Sequence, residues 1–282
     1  MDDVSRMTEQ PPTELRRYRV SARFEELRWG PDKRLNNANL LLRHNGAVTQ
    51  ALVLDGTLGE RAALSVKYLP GPDGQILRIS ADDFGETLRV SPSKSRVAGG
   101  TLLIRGLRPT PDAPLSGNFL ASRFRVSRAP LLARVLQVAS LSGIVDALAR
   151  KGLAFDAFEG DFVYREGRLT LSKASAHGSS VGVTANGVID FNDDTATLGG
   201  TLVPAYSLNR AIGKIPVIGS LLTGGAQEGV FAATYRAVGS LEQPKVTVNP
   251  LSALAPGFLR NLFGLGARKK GQIAPPEPST PN

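Results

Sequence analysis

Cysteine is absent from the 282 residues, which excludes disulfides and thiolate metal sites. Histidine is nearly absent. His44 and His177 are the two present, and His177, beside Gly178, has no second histidine or cysteine near it, so a turn residue rather than a metal ligand is expected there. No apolar run approaches the ~20 residues that a membrane-crossing helix needs, and residues 1–30 are too polar for a signal peptide. Aromatic residues make up only 6% of the chain, whereas glycine (30) and proline (19) are plentiful. Many short strands joined by turns use residues in this way.

Acidic residues fall short of basic ones, 25 against 34, giving a net charge of +9. Such a balance suits an anionic membrane surface or a nucleic acid. The basic residues are scattered through alternating segments, and Arg268-Lys269-Lys270 is the one run. Without cysteine there is no zinc finger, and no aromatic-interleaved RNA motif occurs. An anionic lipid surface is therefore the expected partner, and nucleic acid is not.

Three short patterns resemble chemistry and lose that meaning in context. Gly178-Ser179-Ser180-Val181-Gly182 fits G-x-S-x-G, but the hydrolase elbow needs a helix after the serine. Here strand-like Val183, Ala185 and Val188 follow, and both histidines precede Ser180. Asp190, Asn192 and Asp194 begin like a calcium loop, yet Thr195 replaces its glycine and Thr201 its closing glutamate. Gly199-Gly200 and Gly224-Gly225 lack the lysine of a phosphate loop. No catalytic, cofactor-binding or metal-binding residue is assigned, and no enzyme is expected.

What the chain does contain is period-two alternation. Val20, Ala22 and Phe24 alternate with charged or small residues; Leu40 and Leu42, then Leu64, Val66 and Tyr68, continue the pattern. Leu120, Phe124 and Val126 oppose Arg123 and Arg125. These are half-buried antiparallel strands, filling 17–126. The rhythm changes over 127–152, where Leu131, Leu132, Val135 and Leu136 recur at helical spacing behind Pro130, which suits a first turn. One amphipathic helix is expected over Pro130–Leu148, weakened at Ser142-Gly143.

Strands resume over 153–250. Phe158, Phe162 and Tyr164 share a face, Leu169 and Leu171 follow, then Val181, Val183, Ala185, Ile189 and Phe191, then Leu198, Phe231 and Tyr235. A second helix is expected over 207–223, with Ile215, Leu221 and Leu222 on it and Pro216 as a kink. Residues 251–270, with Phe258, Leu262 and Phe263 beside the basic run, form an amphipathic basic segment suited to a lipid interface. Residues 1–16 and 271–282 are expected to be disordered.

The resulting fold class is mainly β: an elongated, curled antiparallel sheet forming a groove, with two or three amphipathic helices. A dozen or more strands at ~4.8 Å spacing are long for an open twisted sheet unless it curls or splits. An apolar strip ~20 Å wide would cover the ~15 Å of one leaflet's hydrocarbon.

Between 202 and 257 the wording itself is familiar. Leu202-Val203-Pro204-Ala205-Tyr206-Ser207-Leu208-Asn209, Ile215-Pro216-Val217-Ile218-Gly219-Ser220 and Glu228-Gly229-Val230-Phe231 occur in order. Tyr235, Gly239, Pro244 and Asn249-Pro250-Leu251-Ser252-Ala253-Leu254 complete the series. It resembles the C-terminal region of the AsmA-like family, to which the TamB- and YhdP-type envelope proteins belong. The resemblance covers about residues 97–265.

It implies an elongated β-groove with an apolar interior. In that reading the chain binds glycerophospholipids, transports them between inner and outer membranes, and supports outer-membrane integrity. It also implies a periplasmic location at the inner membrane, through an anchor outside this chain, and other envelope transport proteins as partners. The chain departs from the family in lacking its N-terminal membrane helix and most of its usual length. The groove candidates are the inward residues Phe24, Leu42, Val66, Leu120, Phe124 and those named on the later strands. The alternative is a non-transporting scaffold or assembly module for outer-membrane proteins, with a packed β core.

Overall fold

The alternating segments pair with their neighbours in sequence, and this sets the architecture. The computed structural model describes residues 17–30, 33–89, 96–204, 232–241 and 243–251. Among these, fourteen strands form one antiparallel sheet that does not close into a barrel. The first set is β1 (Tyr18–Gly30), β2 (Lys33–His44), β3 (Thr49–Leu58), β4 (Ala62–Gly71), β5 (Gly74–Ala81), β6 (Arg96–Ala98) and β7 (Thr101–Arg108). The second is β8 (Leu115–Arg128), β9 (Leu153–Arg165), β10 (Arg168–Gly178), β11 (Val181–Asp190), β12 (Thr195–Pro204), β13 (Ala232–Ser240) and β14 (Lys245–Leu251). Every strand bonds to the next along the chain except the short β6, which pairs with β8 and leaves β5 beside β7.

The two ends of the strands differ. At one end β2–β3, β4–β5, β7–β8, β9–β10 and β11–β12 connect through short turns; we call this the hairpin end. The other, the helical end, carries α1 (Phe84–Arg89) between β5 and β6, and α2 (Pro130–Val138) and α3 (Ser142–Arg150) between β8 and β9. Asp83 starts α1: its Oδ1 accepts the Glu86 N–H at 3.0 Å, satisfying an otherwise orphaned first-turn donor.

The single helix expected over Pro130–Leu148 is two helices. Ser140, with φ of 59°, turns the chain through a left-handed conformation that a continuous helix cannot contain. Its N–H is accepted by the Gln137 carbonyl at 3.0 Å. Ser142-Gly143 begins α3 instead of weakening a helix interior.

The sheet curls. α2 touches β13 and β14 while α3 touches β8, although six strand spacings, ~29 Å if flat, separate β8 from β14. Each nine-residue helix is only ~13 Å long, so the pair reaches both because those strands wrap toward it. The concave side is the face that gathers the core: Leu58, Leu64, Ala81, Leu102, Ala121, Leu153, Val181, Leu202 and Tyr235 join α2 and α3 in one apolar cluster.

Inward residues differ in size between the two halves. On β2–β7 they are large: Leu40, Leu54, Val66, Ile79 and Ile104 form one cross-strand row. On β8–β13 they are often Gly or Ala, since a concave surface leaves less room for side chains. A Cβ at Gly117 would lie 1.9 Å from the Arg105 carbonyl oxygen, and one at Gly200 the same distance from that of Thr184. These glycines let strands approach as no other residue would.

The helical end is sealed by aromatic contacts. Phe84 of α1 meets Phe124 edge to face, with centroids 5.2 Å apart, and Phe124 stacks on Phe155 at 5.5 Å.

Candidate functional site

Following cross-strand partners gives the inner face directly. One row runs Ala22–Leu40–Leu54–Val66–Ile79–Ile104–Phe119–Gly160. Another runs Val20–Leu42–Leu52–Tyr68–Leu77–Gly106–Gly117–Phe162–Leu171–Gly187–Leu198–Ala237–Val246. Apolar side chains thus continue from the first strand to the last, with no charged residue in either row.

The two halves of this face differ in how well they are covered. On β2–β7, Leu40, Leu42, Leu52, Leu54, Val66, Tyr68, Leu77, Ile79 and Ile104 remain part-exposed. On β8–β13 more of the face is filled: Leu202 is 0% exposed and Val181 and Leu153 1%, with Phe119, Phe158, Tyr164 and Val183 still part-exposed. Phe162, Leu171, Ala174, Ala196 and Leu198 form a second packed cluster there. On β3–β7, Leu58, Leu64, Ala81 and Leu102 at the helical end are buried too. An open apolar floor thus runs into a closed apolar core.

The residues singled out from the sequence fall into these zones. Phe24, Leu42 and Val66 belong to the open half; Phe24 and Val66 pack on the edge of the main cluster. Phe158, Val183, Tyr164, Leu169 and Ile189 flank the clusters as partly buried residues. Phe124, Phe162, Leu171, Val181, Leu198 and Tyr235 are buried in them. On α2, Val135 and Leu136 are buried, and Leu131 and Leu132 pack beside them. Phe231, Ile215, Leu221, Leu222, Phe258, Leu262 and Phe263 lie outside the described residues, as do the expected helix 207–223 and residues 252–270.

Leu120 is a correction. It pairs with Leu103 and Glu159 on the outer face, while Phe119 and Ala121 point inward. Arg123, at φ 54°, adopts a left-handed conformation that shifts the alternation, so Leu120 and Phe124 do not share a side. Phe191, placed on the inward face by its spacing, is 55% exposed beyond the end of β11.

Tyr235 is an unusual inner residue. Its hydroxyl donates to the Thr184 carbonyl at 2.7 Å, and the Thr201 N–H turns to the Thr184 hydroxyl at 2.9 Å. The ring lies over Gly200, and burial pushes its phenol up to about 12. At the hairpin end, Asp190 accepts from Arg168 Nε at 2.7 Å and from the Asn192 N–H at 3.0 Å. The Arg168 hydrogen bond, followed by the Asn192 N–H, holds the Asp190 carboxyl below its ordinary value. These bonds assign Asp190 and Asn192 to a hairpin. Ser180 sits in the turn between β10 and β11, with a strand rather than a helix after it.

The outer face carries much of the positive charge. Lys67, Arg78 and Arg105 stand directly opposite one another on β4, β5 and β7, and Arg19 faces Arg43. Two shallow depressions, of about 450 and 470 Å³, lie at the β1–β3 edge, lined largely by outward residues such as Arg23, Leu41 and Val53, or Arg19 and Arg43. In the first, Arg23 Nε is already engaged by Asn39 Oδ1 at 3.0 Å.

Sequence reasoning missed Arg108. It follows Leu102, Ile104 and Gly106 at two-residue steps and therefore shares their inner face; Gly106 interrupts the apolar alternation and hides it. Counting even positions from Leu102 would have found it.

Among the described residues, no helix is long and apolar enough to cross a membrane. No family model, curated protein or solved structure matches this chain.

Proposed function

We propose that the inner face of the trough holds lipid acyl chains, and that the chain acts as a phospholipid-binding envelope protein of the AsmA-like kind. The observation that carries this reading is the part-exposed apolar floor of β2–β7. Contiguous apolar surface left open is a site for an apolar partner, and cross-strand rows without charge offer acyl chains no polar discrimination. Selectivity would come from trough width and from whatever polar groups line its mouth. In this reading the protein works in the periplasm at the inner membrane and contributes to moving glycerophospholipid outward and to outer-membrane integrity, with no chemical step.

The more filled half, β8–β13 with α2 and α3, favours the second reading in that region: a packed core serving assembly of outer-membrane proteins. Mass spectrometry of lipids extracted from the purified chain separates the two. A lipid trough yields co-purifying phospholipid, together with photocrosslinks from probes at Leu54 or Ile79 and none from the outer Ser80. Lipid-free protein with no crosslink at either inner position would leave the scaffold reading.

A further inference from the structure

Over its middle strands the trough is polar at one end only. On β3, β4, β5 and β7 the inner positions from the helical end onward are Leu58, Ala62, Leu64, Ala81, Leu102 and their apolar successors. At the hairpin end they become Tyr68, Gln75 and Arg108, with Tyr18 and Tyr164 on the same side. Arg108 is the one charged residue on the inner face of those four strands, and the inner positions of β9–β13 hold none. It faces Gln75 across the β5–β7 ladder.

Its environment is unfinished. Arg108 Nε and Gln75 Oε1 are both buried and neither has a hydrogen-bond partner, a rare condition for buried polar atoms. Arg108 also takes part in no ion pair among the described residues. Were Gln75 to turn and accept from Nε, the two terminal guanidinium nitrogens would still be left for a ligand. A guanidinium suits phosphate oxygens, which it can engage with two parallel bonds.

Leu102 belongs to the buried core, so the open inner stretch of β7 runs from Ile104 to Arg108. That is four residues, ~13 Å at strand rise, close to the ~15 Å spanned by one leaflet's hydrocarbon. Tyrosine at the polar limit of an apolar surface is the arrangement found where hydrocarbon meets water.

We infer that Arg108, with Gln75, binds the anionic phosphate headgroup of a lipid whose acyl chains lie along β3–β7 toward the α1 end. This rests on the trough reading above and adds polarity to it: the headgroup sits at the hairpin end, with the tails over the open rows that run from it toward the helical end. It also gives selectivity, because diacylglycerol would enter the same floor without the arginine's help.

The test uses the full chain and three probes: phosphatidic acid, diacylglycerol of the same acyl chains, and inorganic phosphate. Wild type is expected to bind both lipids, phosphatidic acid at least tenfold tighter, and not to bind millimolar phosphate. Arg108→Met should lose that tenfold preference and keep diacylglycerol binding, while Arg108→Lys retains part of it. Arg78→Met, on the outer face, should change neither. Because diacylglycerol binding reports an intact trough, a misfolded Arg108→Met is recognised, and Arg108→Lys then decides.

Equal phosphatidic acid affinity in wild type and both Arg108 variants overturns the headgroup assignment while leaving the trough intact. Phosphate alone competing as well as the lipid would make the ligand a free anion and overturn it too. If wild type binds neither lipid, the trough reading itself falls and takes this assignment with it.

Discussion

The Tyr235 hydroxyl reaches across strand β12 to donate to the Thr184 carbonyl at 2.7 Å. This places a titratable group inside the sheet, where its ionised form would be stranded without water. Its folded value, about 12, lies above the ordinary 10.0. The stabilisation linked to the neutral phenol is thus complete below pH ~10 and is lost as pH rises through ~12, since the unfolded tyrosine ionises first.

Alkaline denaturation should therefore show a loss of about 2–3 kcal/mol between those limits. Tyr235→Phe should flatten that limb, at the cost of about 1–2 kcal/mol near neutrality from the carbonyl left without its donor. Urea midpoints measured from pH 8 to 12 check both expectations. A Tyr235→Phe curve parallel to wild type would show that the limb has another origin.

At the acid side the group to watch is Asp190. Its carboxyl is held below its ordinary value by Arg168 and the Asn192 N–H, so its contribution is present above pH ~4 and is lost as pH falls through the depressed value. Asp190→Asn is expected to lower the neutral-pH midpoint slightly, the pair being largely solvated. The difference from wild type should vanish in strong acid, and thermal melts at pH 7 and pH 2 would reveal it.

The aromatic seal gives the largest expected effect. Phe124 touches Phe84 and Phe155 and is 6% exposed. Phe124→Ala should cost about 3–5 kcal/mol, read from equilibrium unfolding, whereas Leu120→Ala four residues earlier should cost far less. Comparable losses would contradict the outward placement of Leu120.

Arg78 lies between Lys67 and Arg105 in one cross-strand row. Like charges placed opposite each other repel. Arg78→Glu should therefore stabilise the chain by about 1 kcal/mol at low salt, with the gain shrinking as ionic strength rises. Denaturant midpoints at two salt concentrations suffice. A destabilised variant would mean that the row interacts with something other than itself.

Much of this fold was legible from residue order. Alternation at Val20–Phe24, Leu40–Leu42 and Leu64–Tyr68 gave strands and their inward sides, because an apolar face with a solvated back leaves a period of two. The reading broke where single residues leave the extended region. Arg123 shifts the alternation and turns Leu120 outward; Ser140 cuts the expected helix in two. Neither residue type announces a left-handed conformation as glycine or asparagine would.

α1 carried its signal in Asp83 before Phe84, but six residues are too few to display a helical period. The candidate site was half legible. Its apolar floor could be read, while the division between open and filled halves depends on how Gly117, Gly200 and the inward alanines let strands approach, and on where α2 and α3 settle. Neither follows from local pattern.

Since β1 to β5 and β7 to β14 each bond to the strand next in sequence, the architecture is nearly one-dimensional, and hairpin number sets its length. Insertion or loss of a hairpin between β2 and β5 would lengthen or shorten the sheet by about two strand spacings, ~10 Å. A truncated chain lacking β1–β2 should accordingly retain a folded remainder, as stacked-repeat proteins do.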